Sequence, residues 1–272
     1  MKPISSLILG TAAMLAVSSA QAFTVFDFNN HFGYGPTKQE ETRWLVDTLL
    51  GGNTDITVTS YSNNGTWLYM GGSTSDGRLI LSNGWFLNKV PGLYGTHGGV
   101  NTSTKTGSNA ALAELIKVPT NQTYDQNVLT FSFTVNDPSI TAIATSFIFA
   151  SDEFGKTNNN DVFAFWVDDV NYALLPDGKV VSVHNVGNNW VDGKDHGYYG
   201  RTEEISIIAL LDPSRNVHTI TIAIADAMNT DGISTVFLGS ITAVPEPETW
   251  AMLLAGLGLV GVTAKRRSRK SQ

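Results

Sequence analysis

Hydrophobic positions recur along this chain with two periods. From Thr37 to Gly52 the spacing is helical, with Trp44, Leu45, Thr48 and Leu49 on one face. Thr37 and Glu40 have the spacing of a capping box, and Gly51-Gly52 supplies the left-handed residues that close a helix. Beyond it the period falls to two. Ile56, Val58 and Ser60 share one side of segment 55–61, and Leu129, Phe131, Phe133 and Val135 alternate with Thr130, Ser132 and Thr134. Further strands are predicted at 66–70, 78–82, 140–150, 161–167, 172–175, 179–184, 203–210, 217–225 and 235–242. Gly71-Gly72, Asp76-Gly77 and Pro176-Asp177-Gly178 read as turns. Residues 23–36 read as a loop or a first short strand, 88–110 as a long polar loop, and 111–116 as one helical turn before Pro119. Many short strands with turns between them predict a mainly β protein: an antiparallel, jelly-roll-like sandwich with one N-terminal amphipathic helix.

The two ends follow different rules. Lys2, the apolar run Ile4–Val17 and the small-x-small triplet Ala20-Gln21-Ala22 form a secretory signal peptide over 1–22, so the mature chain is expected to begin at Phe23. At the other end, Pro245-Glu246-Pro247 is followed by an uncharged run from Trp250 to Ala264 and a basic cluster containing Arg266 and Arg267. Prolines exclude helix interior, so the first piece reads as a stiff, exposed, extended spacer. The second reads as a short transmembrane helix of about 22 Å, and the third should stay on the cytoplasmic side. The chain therefore divides into 1–22, a β-sandwich body 23–243 and a tail 244–272.

Composition narrows the chemistry. There is no cysteine, so an exported body must be held by packing, with or without a metal. With Lys2, the five basic tail residues, Glu246 and Glu248 set aside, the body holds 11 basic and 22 acidic residues. That balance argues against nucleic acid and suits divalent cations. Two oxygen-rich clusters border apolar strands: Asp152, Glu153 and Asp161, and Asp226, Asn229 and Asp231. They are candidates for Ca²⁺, which takes six to eight oxygen ligands. The competing reading is that they cap turns. Nothing supports catalysis. The sequence has no Gly-x-Ser-x-Gly elbow, no phosphate loop and no His-x-x-x-His pair among its five histidines. Asp152-Glu153 and Asp168-Asp169 are adjacent, and neighbours on a strand face opposite ways. The expectation is a non-enzyme. Trp67, Trp85, Trp166, Trp190, Tyr198 and Tyr199 are aromatic candidates for sugar binding, and Trp190, Tyr198 and Tyr199 share the richest loop, 185–200. The alternative is that these rings fold back onto the sheet.

The tail, in the order Pro-Glu-Pro, short apolar helix, Arg-rich end, resembles the PEP-CTERM sorting signal of Gram-negative bacteria. Segments 147–154 and 160–165, 222–226 with 231–238, 45–52 and 77–84 together resemble the choice-of-anchor L domain. That family usually carries two glutamates where this chain has Asp152-Glu153, a change that keeps both charges and shortens one arm. The resemblances imply signal peptidase and exosortase as processing partners. They imply an inner-membrane intermediate, cleavage near Pro245-Glu246-Pro247, and release to the cell surface or exopolysaccharide matrix. The expected role is structural or interactive within that biofilm matrix. A lectin-like carbohydrate-binding module is the alternative, and a secreted glycan hydrolase stands third.

Overall fold

The computed structural model describes residues 25–26, 38–64, 71–74, 76–84, 106–193, 196–230 and 232–246. In chain order its strands are β1 (Val25–Phe26), β2 (Ile56–Asn63), β3 (Gly71–Thr74), β4 (Leu79–Ser82), β5 (Thr123–Val135), β6 (Ile140–Ser151), β7 (Val162–Val167), β8 (Val170–Asn171), β9 (Val181–Ser182), β10 (Val191–Asp192), β11 (Gly200–Arg201), β12 (Ile205–Leu210), β13 (His218–Ala227), β14 (Ser234–Leu238) and β15 (Thr242–Pro245). The α-helices are α1 (Lys38–Leu50), α2 (Ala110–Ile116) and α3 (Val183–Val186).

Two antiparallel sheets carry the fold. In one, β6 is the hub, pairing with β14, β12, β11 and β15, and β14 continues through β4 and β3 to β1. In the other, β13 lies between β5 and β7, with β2 beyond β5 and both β8 and β9 against β7. The alternation read from the sequence places Leu129, Phe131 and Phe133 of β5 opposite Ile222, Ile220 and His218 of β13. These side chains, with Ile224, Phe163 and Phe165, meet Phe147 and Phe149 of β6 in one core, and the rings of Phe147 and Phe163 stand 5.2 Å apart across the two sheets. Six phenylalanines here are fully buried. Each contributes roughly 1.5–3 kcal/mol by leaving water. On the other face of the β5–β13 pair, hydroxyls align: Thr130 with Thr221 and Ser132 with Thr219, both at 3.2 Å.

Helix α1 buries Leu45, Val46, Leu49 and Leu50, with Trp44 packed at the edge, so its apolar face is turned one residue from the predicted one. Gly51 and Gly52 end it at φ 56° and 78°. Its Thr37 cap lies outside the described residues. The predicted strand 235–242 is two strands, because residues 239–241 leave the sheet to serve the helix end. There the Ile241 N–H donates to Leu49 O (2.8 Å) and Asn53 donates to Ile241 O (3.2 Å). Segment 179–184 is likewise shorter than predicted. Ser182 accepts from the Asn185 N–H and starts α3. Segment 172–175 is not a continuous strand; β8 precedes it and a single bridge joins Leu174 to Val180. Gly71-Gly72 lies inside β3, paired with Leu81 and Ile80, rather than in a turn. Segment 66–70 and most of 88–110 lie outside the described residues, as do the signal-peptide span and the C-terminal apolar run. Among the described residues no helix is long and apolar enough to cross a membrane.

Candidate functional site

Both acidic clusters meet at one end of the sandwich. Strand β6 ends at Ser151, whose Oγ accepts from the Glu153 N–H (2.9 Å) and from Ser234 Oγ (2.8 Å). The chain then loops to Asn160, whose N–H donates to Ala227 O at the end of β13 (3.0 Å). That closure sets Asp161 beside Asp226. Asn83, just past β4, lies against both. Its Nδ2 donates to Asp161 Oδ2 (2.7 Å) and to Asp226 Oδ1, while its own Oδ1 accepts from the Ser234 N–H (2.8 Å). Asp161 Oδ1 also accepts from the Ala227 N–H (3.3 Å). Asn159 donates to Glu153 Oε1 and accepts from Asn229. Glu153 Oε2 is buried with no hydrogen-bond partner.

Glu153 and Asp161 have no exposed surface, and Asp226 and Asp125 keep 2%. Burial in so dry a place opposes charge. It pushes the Glu153 carboxyl up to about 10, helped by the neighbouring Asp161 charge. Burial raises Asp161 as well. Asp226 is pushed well above the carboxylate range by burial and then by the charges of Asp161, Asp125 and Glu153. Burial thus disfavours negative charge on these three carboxyls, whose hydrogen-bond donors are asparagine amides.

Of the five residues singled out as calcium ligands, Glu153, Asp161 and Asp226 come together. Asp152 is buried next to Glu153, with its N–H on Ile233 O (3.1 Å). Asp231 lies outside the described residues. As the side chains stand, no group of three or more acidic or histidine residues among the described ones could hold a metal. The Asn83 amide lies between Asp161 and Asp226 instead. Sequence reasoning missed Asn83 and Asp125. Asp125 sits in β5 at φ 45°, where two residues of β5 face one of β13. That bulge accompanies a buried carboxylate in a strand that otherwise buries aromatic and aliphatic groups.

The proposed sugar contacts do not form one surface. Tyr198 is buried at 3% exposure with its hydroxyl on Thr235 Oγ1, and burial pushes its phenol up. It cannot meet a ligand there, which corrects the expectation. Trp190 is half-buried, 6.0 Å from the Phe149 ring and edge-on to Phe154 at 5.6 Å. Tyr199 remains exposed. A cleft of about 640 Å³ opens elsewhere, on the hydroxyl-lined sheet face, bordered by Trp166, Thr219, Thr221, Asn109, Glu114 and Asp169. The adjacent Asp168 and Asp169 lie in the turn between β7 and β8, not along a strand, and still separate. Asp168 turns inward to accept from His218 Nδ1 (2.6 Å), while Asp169 lies outside, paired with Arg215 (3.1 Å).

The sorting segment begins inside the sandwich. Pro245 is the last residue of β15, opposite Ile140 and just past a register shift. The Glu246 N–H donates to Ser139 O (2.9 Å). The start of the expected free spacer is therefore an edge strand. A proline fits there because the bulge removes the need for its missing N–H. Ala22, Pro247, Arg266 and Arg267 lie outside the described residues.

The family model of the choice-of-anchor L domain matches residues 37–242, and that of the PEP-CTERM protein-sorting motif matches residues 243–270. No curated protein matches the chain. Among solved structures, a β-glucosidase from Kluyveromyces marxianus in complex with glucose is 10% identical over 48% of this chain and 13% of its own, with a TM-score of 0.25. The enzymatically active domain of tailspike protein 4 from bacteriophage CBA120 is 10% identical over 70% of this chain and 20% of its own, with a TM-score of 0.21. Similarity at that level bears on neither fold nor activity.

Proposed function

Since the chain belongs to the choice-of-anchor L domain family and carries the PEP-CTERM sorting motif directly behind that domain, we propose that it is an exported protein cut by an exosortase beside Pro245-Glu246-Pro247 and delivered to the cell surface or exopolysaccharide matrix. There the sandwich serves as a structural, non-catalytic interaction module. The observation that carries this reading is the join between the two parts. The family match ends at 242 and the sorting match starts at 243, inside β15. The module and its sorting signal are thus one continuous piece of chain, with no flexible linker between them. Released protein should begin at Phe23 and lack Arg266 and Arg267 by intact mass. Replacing Pro245 and Pro247 together by Ala should hold the protein in the membrane fraction. Release of that double variant at the normal level would overturn the reading.

A second reading, a lectin-like module, is supported by the cleft at Trp166, where a half-buried ring borders threonine hydroxyls and carboxylates. Aromatic faces and hydroxyl-bonding groups suit sugar rings. On this reading the protein is retained by the cell's own exopolysaccharide and Trp166→Ala is not. Equal retention of both removes it.

A further inference from the structure

We propose that the outer face of the sheet formed by β2, β5, β13 and β7 binds an extended, uncharged polysaccharide chain laid across the strands from Trp166 toward Ser62. This rests on the lectin-like reading, and it adds the class of glycan and the surface that holds it. Leu129, Phe131, Ile220, Ile222 and Phe165 point into the core, so their neighbours along each strand point out. Strand register then sets the outward residues in rows. Ser62, Thr130, Thr221 and Trp166 lie side by side on four successive strands, and Ser60, Ser132 and Thr219 form a second row next to them. At about 4.8 Å between strands, the first row runs roughly 14 Å, room for more than one sugar ring.

The chemistry of the rows selects the ligand. Neither row holds a charged residue, although the body carries 22 acidic and 11 basic side chains. The carboxylate nearest the end of the second row, Asp168, turns inward to His218. Thr130 bonds Thr221 and Ser132 bonds Thr219, each at 3.2 Å. A hydroxyl offers one donor and two lone pairs, so each bonded pair keeps an O–H and lone pairs for a ligand that both donates and accepts. Sugar hydroxyls do both. Helix α2 covers the adjoining part of the face, with Leu112 clustered on Ala164 and Ala223, and its Leu115 walls the cleft where the first row reaches Trp166. The half-buried indole there offers an apolar ring to the C–H face of a sugar. The carboxylates bordering the cleft are Glu114 and Asp169, the latter paired with Arg215. An acidic polymer therefore meets Glu114 and the negative charge of the body, and a neutral one does not.

The test is retardation of the full-length protein, kept in detergent, in native gels cast with dextran, mixed-linkage β-glucan, galactomannan or alginate. A neutral polymer among these should retard it, and alginate, the acidic one, should need at least about ten times the concentration. Thr130→Val with Thr221→Val keeps the shape and the strand propensity and removes one bonded hydroxyl pair, so binding of the neutral polymer should weaken about tenfold. Ser60→Glu sets a charge on an exposed position of the second row, outside the cleft, where a bound chain would desolvate it. It should weaken binding similarly, and it is read alone if the double valine variant does not fold. Loss of binding in Trp166→Ala with no change in the valine and glutamate variants confines the sugar to the cleft; that overturns the extended row and leaves the lectin-like reading standing. Equal or stronger retardation by alginate overturns the neutral class. No retardation by any of the polymers overturns the lectin-like reading as well.

Discussion

Asn83 is the side chain on which the acidic end of the sandwich depends most directly. It keeps 1% of its surface and makes three hydrogen bonds: two donated to carboxylates and one accepted from the Ser234 N–H. In Asn83→Ala both carboxylates lose a donor and Ser234 loses its acceptor. Burial disfavours charge on both carboxyls, so each lost hydrogen bond contributes about 0.5–1.5 kcal/mol, and an orphaned buried N–H costs about 1–3 kcal/mol. The expected loss is about 3–5 kcal/mol. At about 2–4 °C per kcal/mol, the melting midpoint falls by roughly 6–20 °C. Urea denaturation should show a lower midpoint with an unchanged slope. Asn83→Asp should be worse than Asn83→Ala, because it sets an acceptor where two acceptors already wait. A loss below about 1 kcal/mol for Asn83→Ala, or a milder effect for Asn83→Asp, would refute the idea that this amide bridges Asp161 and Asp226.

Two further predictions concern other parts of the structure. Gly232→Ala meets a positive φ and a collision with Glu153, whereas Gly178→Ala meets a positive φ (81°) with nothing within 4 Å. Urea denaturation should show Gly232→Ala costing at least about 1 kcal/mol more than Gly178→Ala, beyond the shared cost of left-handed backbone. Equal losses would mean that Glu153 does not pack on Gly232. For Asp168, burial pushes the carboxyl up, but hydrogen bonds from His218 and from the Asp212 and Thr219 N–H groups outweigh it and hold the group below its ordinary value. Arg215 (3.9 Å) and the exposed Asp169 are its other charged neighbours. A depressed carboxyl contributes stability above its unfolded pKa of about 3.9 and loses it as pH falls through the folded value. Asp168→Asn should therefore lower stability at neutral pH and flatten the decline on the acid side. A parallel acid limb in both proteins would sink this assignment.

The helix, the long strands and the C-terminal sorting motif were legible because their signals are local. Period-two alternation in 129–135 placed Leu129, Phe131 and Phe133 on one face, which the structure buries in the core. Gly51-Gly52 closed α1 for a backbone reason that needs no tertiary partner. Buried His218 meets its hydrogen-bond partner, Asp168, across 50 residues of sequence, and only the fold supplies it. The break at 239–241 also escaped the pattern, since it exists to satisfy Leu49, nearly 200 positions earlier.

The acidic site divides in the same way. Charge and composition alone singled out Glu153, Asp161 and Asp226 as oxygen donors beside apolar strands. The sequence could not say that they touch, because a carboxylate beside a strand end reads the same whether it caps a turn or faces another carboxylate. Closure of the 152–160 loop onto Ala227 decided that. Asp125 is buried too, in a strand bulge whose left-handed backbone has no local glycine to announce it. The sorting motif likewise was fixed by residue order, whereas the pairing of its first proline with β6 was not. Periods, caps and motifs are written in neighbours. Burial, charge coupling and edge pairing depend on residues brought together from distant parts of the chain, and only the packed sandwich brings them together.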